Sequence, residues 1–170
     1  MPSKRSGART SRSTGPTFPR DWHEFLSLLI SHRVKFVIVG GHAVSVHARP
    51  RMTEDLDVFV EASEPNATRL REVLSEFGFG AAAPDVRLLA EPDRVFMLGV
   101  KPFRIDILTR ISGVTFAQAW RTRVTVATSA GRLPFLGKAL LVTNKTASNR
   151  PKDLADLAAL DAATAPRRTR

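Results

Sequence analysis

Two short segments alternate acidic with apolar residues, and this alternation constrains the fold more than any other feature of the sequence. Residues 55–60 read Asp-Leu-Asp-Val-Phe-Val, and residues 104–108 read Arg-Ile-Asp-Ile-Leu. Alternate side chains of an extended strand share a face, so Asp55 and Asp57 point to one side and Asp106 points away from its apolar neighbours. Each segment therefore predicts a strand with one face in the core. If the two strands are neighbours in a sheet, the three carboxylates converge.

Apolar periodicity and turn residues predict the remaining elements. A capping box formed by Asp21 and Glu24 predicts the start of the first helix, and Ser63 and Gly78 predict the start and the end of a later one. A tight turn at Lys101-Pro102 predicts a hairpin. The predicted helices cover residues 21–32, 42–48, 63–78, 116–120, 137–148 and 152–163, and the predicted strands cover 35–39, 55–60, 95–100, 103–109 and one or two segments of 124–134. This order predicts one α/β (α+β) domain with a short mixed sheet flanked by helices.

Positive charge is concentrated at the two ends of the chain. The sequence has 26 Lys and Arg against 16 Asp and Glu, a net charge of +10. Residues 1–20 carry five basic groups and residues 164–170 carry three, and neither segment contains an acid. We predict a disordered basic arm over 1–20, a folded domain over 21–163 and a basic tail over 164–170. Such arms attract polyanions, above all nucleic acid; the alternative is a purely solubilising role.

Composition and apolar run length exclude several classes of protein. The chain contains no cysteine, which excludes a disulfide framework and a thiolate metal site. Its apolar runs are far shorter than a membrane span, and no secretory signal pattern follows the basic N-terminus, so we expect a cytoplasmic protein with no membrane partner. The four histidines, His23, His32, His42 and His47, fit no metal-ligand spacing and are expected at the surface or in packing.

The acids of the two alternating segments are the candidates for a metal site. Asp55 and Asp57 on one strand face repel each other unless a positive charge lies between them. Carboxylate oxygens at a mouth open to solvent suit Mg²⁺ or Mn²⁺, which would leave coordination positions for phosphate and water. An Asp-x-Asp pattern also arises by chance on an exposed strand face, so the preceding segment is needed for the interpretation.

A glycine pair separates a predicted strand from a predicted helix just before these acids. Gly40 and Gly41 follow Val-Ile-Val and precede His-Ala-Val. Glycines let backbone N–H groups approach a phosphate, and the N-terminus of a helix adds a favourable dipole. We expect a triphosphate to lie over this pair; the alternative is that Gly-Gly simply turns the chain.

Residues 37–44 and 49–58 together resemble the signature of the polymerase-beta-like nucleotidyltransferase superfamily. In that superfamily a glycine pair opens a helix, an Asp-x-Asp lies on the next strand, and a third Asp lies on a later strand. The resemblance implies that Asp55, Asp57 and Asp106 are the catalytic, metal-holding acids. It also matches Thr53 to a Ser or Thr that often precedes the acid pair, and we predict Thr53 and Arg51 as phosphate contacts.

The C-terminal segment narrows the resemblance. Residues 145–157 read Lys-Thr-Ala-Ser-Asn-Arg-Pro-Lys-Asp-Leu-Ala-Asp-Leu. This segment is similar to a helix of minimal nucleotidyltransferases of the AbiEii toxin type and of related uncharacterised bacterial domains. The resemblance implies that Lys145 reaches the nucleotide phosphates, whereas Arg150, Lys152 and Asp153 close the site or hold the last helix. The alternative for Lys152, Asp153 and Asp156 is a solvated helix face.

The resemblance, which covers roughly residues 21–160, implies transfer of a nucleoside monophosphate from an NTP such as ATP to an acceptor. In such a reaction Asp55 and Asp57 hold two Mg²⁺ or Mn²⁺ ions, and Asp106 holds the ion that activates the nucleophile and accepts its proton. Gly40 and Gly41 position the triphosphate, and Lys145 offsets the charge of the leaving pyrophosphate. We expect the acceptor to be RNA, in particular transfer RNA, modified by a toxin of a toxin-antitoxin system with an antitoxin protein as partner. The alternatives are transfer to a protein hydroxyl or a small molecule, and a non-catalytic antitoxin or nucleic-acid-binding module.

Overall fold

Residues 15–164 are described by a computed structural model of the chain. The helices are α1 (Arg20–Ser31), α2 (Gly40–His47), α3 (Glu64–Leu74), α4 (Val86–Ala90), α5 (Phe116–Arg121), α6 (Lys138–Ser148) and α7 (Pro151–Ala162). The strands are β1 (Phe36–Ile38), β2 (Asp55–Val60), β3 (Val95–Leu98), β4 (Arg104–Leu108), β5 (Val124–Thr128) and β6 (Gly131–Phe135). None of the helices within residues 15–164 has the length and apolar character needed to cross a membrane.

The six strands form one mixed sheet in the order β3-β4-β2-β1-β6-β5. The inner pairs β2–β4 and β1–β6 are parallel, whereas β1–β2 and the two outer hairpins β3–β4 and β5–β6 are antiparallel. The predicted α/β domain with a mixed sheet flanked by helices is confirmed, and so is the hairpin around Lys101-Pro102.

The alternation in β2 and β4 determines which face of the sheet is buried. Leu56 and Val58 of β2 are fully buried, as is Ile107 of β4, and all three belong to one hydrophobic cluster with the apolar residues of α1 and α3. On the acid-bearing face, Phe59 packs against Phe116 of α5, with ring centroids 5.2 Å apart. That face is therefore covered at the end of β2 and open at its beginning, where the acids lie.

Two predicted helix signals are wrong. Helix α1 begins at Arg20 after Pro19 and has no side-chain cap, so Asp21 lies inside the first turn, where its charge favours the helix dipole. Ser63 does precede α3, but its hydroxyl donates to Glu61 instead of capping the helix. Helix α3 ends at Leu74, and a π-helical turn over Ser75–Phe79 follows.

The described chain begins before the predicted domain boundary. The carbonyl oxygen of Pro16 accepts a hydrogen bond from the backbone N–H of Ser129 at 3.1 Å, and the backbone N–H of Phe18 donates to the Ser129 hydroxyl at 3.2 Å. The ring of Phe18 lies 5.3 Å from that of His42. Residues 15–19 therefore pack against the domain and Arg20 begins α1, whereas residues 1–14 of the predicted arm and residues 165–170 of the predicted tail lie outside the described residues.

Asn66 joins α3 to the sheet, and its removal should destabilise the protein. The buried Asn66 amide accepts from the Lys35 N–H at 2.7 Å and donates to the carbonyls of Lys35 and Glu61 at 3.0 and 3.1 Å. Asn66→Ala would leave these backbone groups unpaired, so we expect a loss of about 2 to 3 kcal/mol in the free energy of unfolding. Urea denaturation measures this loss, and Thr68→Ala on the exposed side of α3 is the matched control. A loss no larger than that of Thr68→Ala would contradict this role.

Candidate active site

The parallel pairing of β2 with β4 brings the three acids together. Asp57 lies directly opposite Asp106 in the register, and Asp55 lies opposite Arg104. The side chains of Asp55 and Asp106 are 18% and 12% exposed. The prediction that the strand of Asp55 and Asp57 lies beside the strand of Asp106 is confirmed, and the three carboxylates share the open face of the sheet.

Burial and a neighbouring acid disfavour the charged form of Asp57. Burial, and then the negative charge of Asp106, raises the pKa of Asp57 to about 6, and Asp55 adds to this effect. Lys152 and Lys145 lower the pKa but do not offset the rise. A carboxyl with these neighbours is stabilised by any additional positive charge placed between the acids.

Arg104 supplies one such positive charge. Its Nε donates to Asp106 Oδ1 at 2.7 Å and its Nη2 donates to Asp106 Oδ2 at 2.8 Å, a bidentate pair. The same Nη2 lies 3.2 Å from Asp55 Oδ2. The hydrogen bonds to Asp106 raise the pKa of Arg104. Sequence reasoning missed this residue, although its position two residues before Asp106 in the same strand places both side chains on one face.

The donor set at these acids suits a hard divalent cation, but the carboxylates are arranged around a guanidinium. In the described part of the chain, no group of three or more His, Cys, Asp or Glu residues is placed to hold a metal ion. Asp55 Oδ1 is buried and has no hydrogen-bond partner within residues 15–164. A buried carboxylate oxygen without a donor is costly unless a cation or a water molecule contacts it. The chemistry of Asp55, Asp57 and Asp106 therefore fits Mg²⁺ or Mn²⁺.

The glycine pair forms the first turn of α2 and packs against the acid-bearing strand. A Cβ atom on Gly40, whose φ is +63°, would lie 2.0 Å from Asp57 Oδ2, and one on Gly41 would lie 2.8 Å from Thr53 Oγ1. Side chains at either position would collide with these neighbours. Because the first N–H groups of a helix have no partner inside it, this turn presents donors beside Asp57. Helix α2 thus begins two residues earlier than the sequence predicted.

Lys145 of α6 lines a cleft together with the acids and the glycine turn, but its ammonium group is held by helix α7. Its Nζ lies 2.9 Å from Asp153 Oδ1 and 2.8 Å from Asp156 Oδ2, and its side chain is only 2% exposed. Burial would raise the pKa of Asp153, but hydrogen bonds from Arg150, Lys145 and Ser148 outweigh it and hold that pKa well below its usual range. Asp153 and Asp156 are buried, so a solvated helix face is wrong for both; Lys152 is exposed.

Arg51 extends this ion-pair cluster to the loop before β2. Its Nε lies 3.1 Å from Asp156 Oδ1, and its Nη2 donates to Asp156 Oδ2 at 3.3 Å. The cluster of Arg51, Lys145, Asp153, Asp156 and Arg150 contains three cations and two anions, so it is net positive. Arg51 and Arg150 keep 41% and 53% of their side chains exposed, which leaves these two guanidinium groups accessible to an anion.

One cleft connects the acids, the glycine turn and the basic cluster. Its volume is about 830 Å³, which is enough for a nucleoside triphosphate-sized ligand. The structure brings all of the predicted site residues to its lining: Gly40, Gly41, Arg51, Thr53, Asp55, Asp57, Asp106 and Lys145. Acids lie on the strand side of this cleft, and cations lie on the side of α6, α7 and the loop before β2.

The raised pKa of Asp57 predicts how stability depends on pH in the metal-free protein. Its ordinary pKa is 3.8 and its folded value is about 6, so the folded protein binds the additional proton between these values. This contribution to stability is complete below about pH 4 and is lost as the pH rises through about 6. Asp57→Asn should therefore raise the free energy of unfolding at pH 8 by up to about 3 kcal/mol, and by little at pH 4. Urea denaturation in EDTA tests this against the exposed control Asp161→Asn, and an equal effect at both pH values would contradict it.

The buried position of Lys145 predicts a structural cost when its charge is removed. Lys145→Met would leave Asp153 and Asp156 as buried carboxylates with one cation fewer, so we expect a loss of about 3 to 5 kcal/mol in the free energy of unfolding. Lys152→Met removes the same charge from an exposed position of α7 and should cost little. Thermal and urea denaturation compare the two variants. Equal stability of the two would mean that the ammonium group of Lys145 is not needed to hold α6 and α7 together.

Comparison with known proteins identifies the family to which the chain belongs. No curated protein matches the chain. A family described as "Nucleotidyltransferase of unknown function (DUF6036)" matches residues 20–164, which include every element from α1 to α7. The match gives no support to the AbiEii type in particular. The chain therefore belongs to the DUF6036 family of nucleotidyltransferases.

Proposed function

We propose that the chain is a metal-dependent nucleotidyltransferase that moves a nucleoside monophosphate from an NTP to a hydroxyl acceptor. The observation that carries this proposal is the register of β2 and β4, which sets Asp57 opposite Asp106 on an open face beside the first turn of α2. Carboxylates alone would suit many kinds of cation site, because nothing beside them would bind a phosphate. Carboxylates beside a helix N-terminus and a net positive cluster suit a cation that carries a polyphosphate.

In this proposal Asp55, Asp57 and Asp106 hold Mg²⁺ or Mn²⁺. The cation would neutralise phosphate charge and lower the pKa of the attacking hydroxyl. The hydroxyl oxygen bonds to the α-phosphorus, the bond from that phosphorus to the bridging oxygen breaks, and pyrophosphate leaves with the electron pair. Asp106 accepts the proton of the hydroxyl.

The nucleotide lies over the glycine turn. The backbone N–H groups at Gly40 and Gly41 orient the triphosphate, and Thr53 lies beside that turn, where its Oγ1 would be 2.8 Å from a Cβ atom on Gly41. Arg51 and Lys145 place positive charge on the leaving-group side. Since Lys145 is committed to Asp153 and Asp156, Arg51 is the member of this pair whose exposed guanidinium contacts phosphate.

For the acceptor we favour RNA, in particular transfer RNA, modified by a cytoplasmic toxin that an antitoxin protein restrains. The support is the excess of basic residues in the terminal segments, with Lys4, Arg5, Arg9 and Arg12 at one end and Arg167, Arg168 and Arg170 at the other. A protein hydroxyl or a small molecule is the alternative acceptor, and a non-catalytic antitoxin is the alternative role.

Loss of the acids should abolish transfer without unfolding the protein. We expect Asp57→Asn and Asp106→Asn to lower labelling of RNA by at least about a hundredfold, because each removes a metal-holding charge from the reacting centre. The assay incubates each α-labelled NTP with Mg²⁺ and total RNA or protein extract, and Asp161→Asn is the control. Wild-type labelling by either folded site variant would contradict the assigned roles.

The terminal segments should contribute to RNA affinity but not to nucleotide binding. Because residues 15–19 pack against the domain, the informative truncation keeps residues 15–164 and removes seven basic groups. If all seven contact phosphates, the slope of log affinity against log salt should fall by about 5 to 6. Filter binding over a salt series measures the slope, and NTP affinity should not change. An unchanged slope, with RNA unlabelled by the full chain, would exclude RNA as the acceptor.

A further inference from the structure

Arg104 lies between the acids that would hold a cation. Its guanidinium takes both oxygens of Asp106, at 2.7 and 2.8 Å, and reaches Asp55 Oδ2 at 3.2 Å. Lys101 adds a weaker contact to the same Asp55 oxygen at 3.9 Å. The like charges that β2 and β4 bring together are thus balanced by a residue of β4 itself.

A guanidinium in this position competes with a divalent cation. A metal ion needs the lone pairs of carboxylate oxygens, and both oxygens of Asp106 already accept hydrogen bonds from Arg104. Within residues 15–164 no group of three metal-binding side chains is placed to hold a metal ion, although the three acids share one face of the sheet. The bidentate pair and a metal bound by Asp55 and Asp106 therefore compete for the same carboxylate oxygens.

We propose that Arg104 is an internal counter-ion of the acid site, and that a divalent cation binds only when the guanidinium leaves Asp55 and Asp106. This inference rests on the proposed metal-dependent function. Arg104 is a positioning residue in this account, since it holds the acids ready while no cation is bound and sets the affinity for the cation.

The location of Arg104 allows its guanidinium to be replaced by a divalent cation, whereas the location of Lys145 does not allow this for its ammonium group. The Arg104 side chain is 26% exposed and lies on the open face of the sheet, so its guanidinium can turn into the cleft while the core stays in place. The Lys145 side chain is 2% exposed, and its two carboxylate partners are buried with it. Release of Lys145 would take a cation from two buried carboxylates, but release of Arg104 would leave carboxylates that a metal ion then contacts.

Competition of this kind lowers the apparent affinity for the cation in a predictable way. The apparent Kd equals the intrinsic Kd divided by the fraction of molecules in which the site is free of the guanidinium. If that fraction is about one tenth, removal of the guanidinium lowers the Kd about tenfold. If Arg104 instead weakened cation binding only by adding positive charge to the cleft, removal of any other nearby cationic side chain would lower the Kd by a similar factor.

The test measures Mn²⁺ binding to the free protein by electron paramagnetic resonance, with no nucleotide present. We expect Arg104→Ala to lower the Kd for Mn²⁺ about tenfold and Arg104→Lys to lower it by less, because lysine keeps the charge but loses the bidentate geometry. Arg110→Ala is the matched control. Arg110 lines the same cleft and carries the same charge, but it pairs with Asp93 at 2.7 Å instead of with the acids.

Thermal unfolding gives a second readout that does not depend on activity. In EDTA, Arg104→Ala should melt below wild type because three carboxylates lose their counter-ion, and saturating Mn²⁺ should raise its Tm by more than it raises that of wild type. Arg104→Lys provides the same comparison if the alanine variant does not fold. Equal Kd values for wild type and the Arg104 variants, or an equal shift in Arg110→Ala, would overturn the inference and leave the proposed function standing. Absence of Mn²⁺ binding in all of the proteins would overturn both.

Discussion

The parallel pairing of β2 with β4 brings three negative charges together, and the surrounding structure must supply positive charge to offset their repulsion. The register sets Asp57 opposite Asp106, with Asp55 one pleat away on the same face. Three carboxylates at this spacing repel one another, and the charge of Asp106 adds to the larger effect of burial in raising the pKa of Asp57. Positive charge must therefore come to this edge of the sheet, and Arg104 provides it from within the sheet.

A second cluster of charges is formed where the last two helices meet the loop before β2. Lys145 of α6, Asp153 and Asp156 of α7, and Arg51 of the loop join segments that are far apart in the sequence. The two clusters differ in how freely their ion pairs can rearrange. The buried pairs around Lys145 hold the helices in place, whereas the partly exposed pair between Arg104 and Asp106 can exchange partners. The cleft thus combines a rigid cationic side with an adaptable acidic side.

The sequence predicted the elements that depend on local pattern. Period-two alternation identified β2 with its observed bounds, and the glycine pair identified the turn from β1 into α2. These predictions succeeded because side-chain alternation and backbone freedom are properties of a few consecutive residues. Helix starts were less predictable, since α1 begins at Arg20 and α2 at Gly40, one and two residues before their predicted starts.

Partners of the long charged side chains could not be predicted. The contact of Arg51 with Asp156 spans 105 residues, and only the folded chain shows that Asp156 is buried. Lys145 lines the cleft, but the direction of its ammonium group depends on α7. Arg104 stands in the same alternating strand as Asp106, so its face was predictable, but its pairing with two acids depends on the register of two strands.

The central claim is that Asp55, Asp57 and Asp106 hold a divalent cation that carries a nucleotide. Anomalous diffraction from a crystal grown with Mn²⁺ and a non-hydrolysable NTP tests it most directly. The account predicts a manganese peak within coordination distance of oxygens of these carboxylates, with the triphosphate over Gly40 and Gly41 and the Arg104 guanidinium turned away from Asp106. Manganese and triphosphate bound elsewhere, with Arg104 still paired to Asp106, would contradict it.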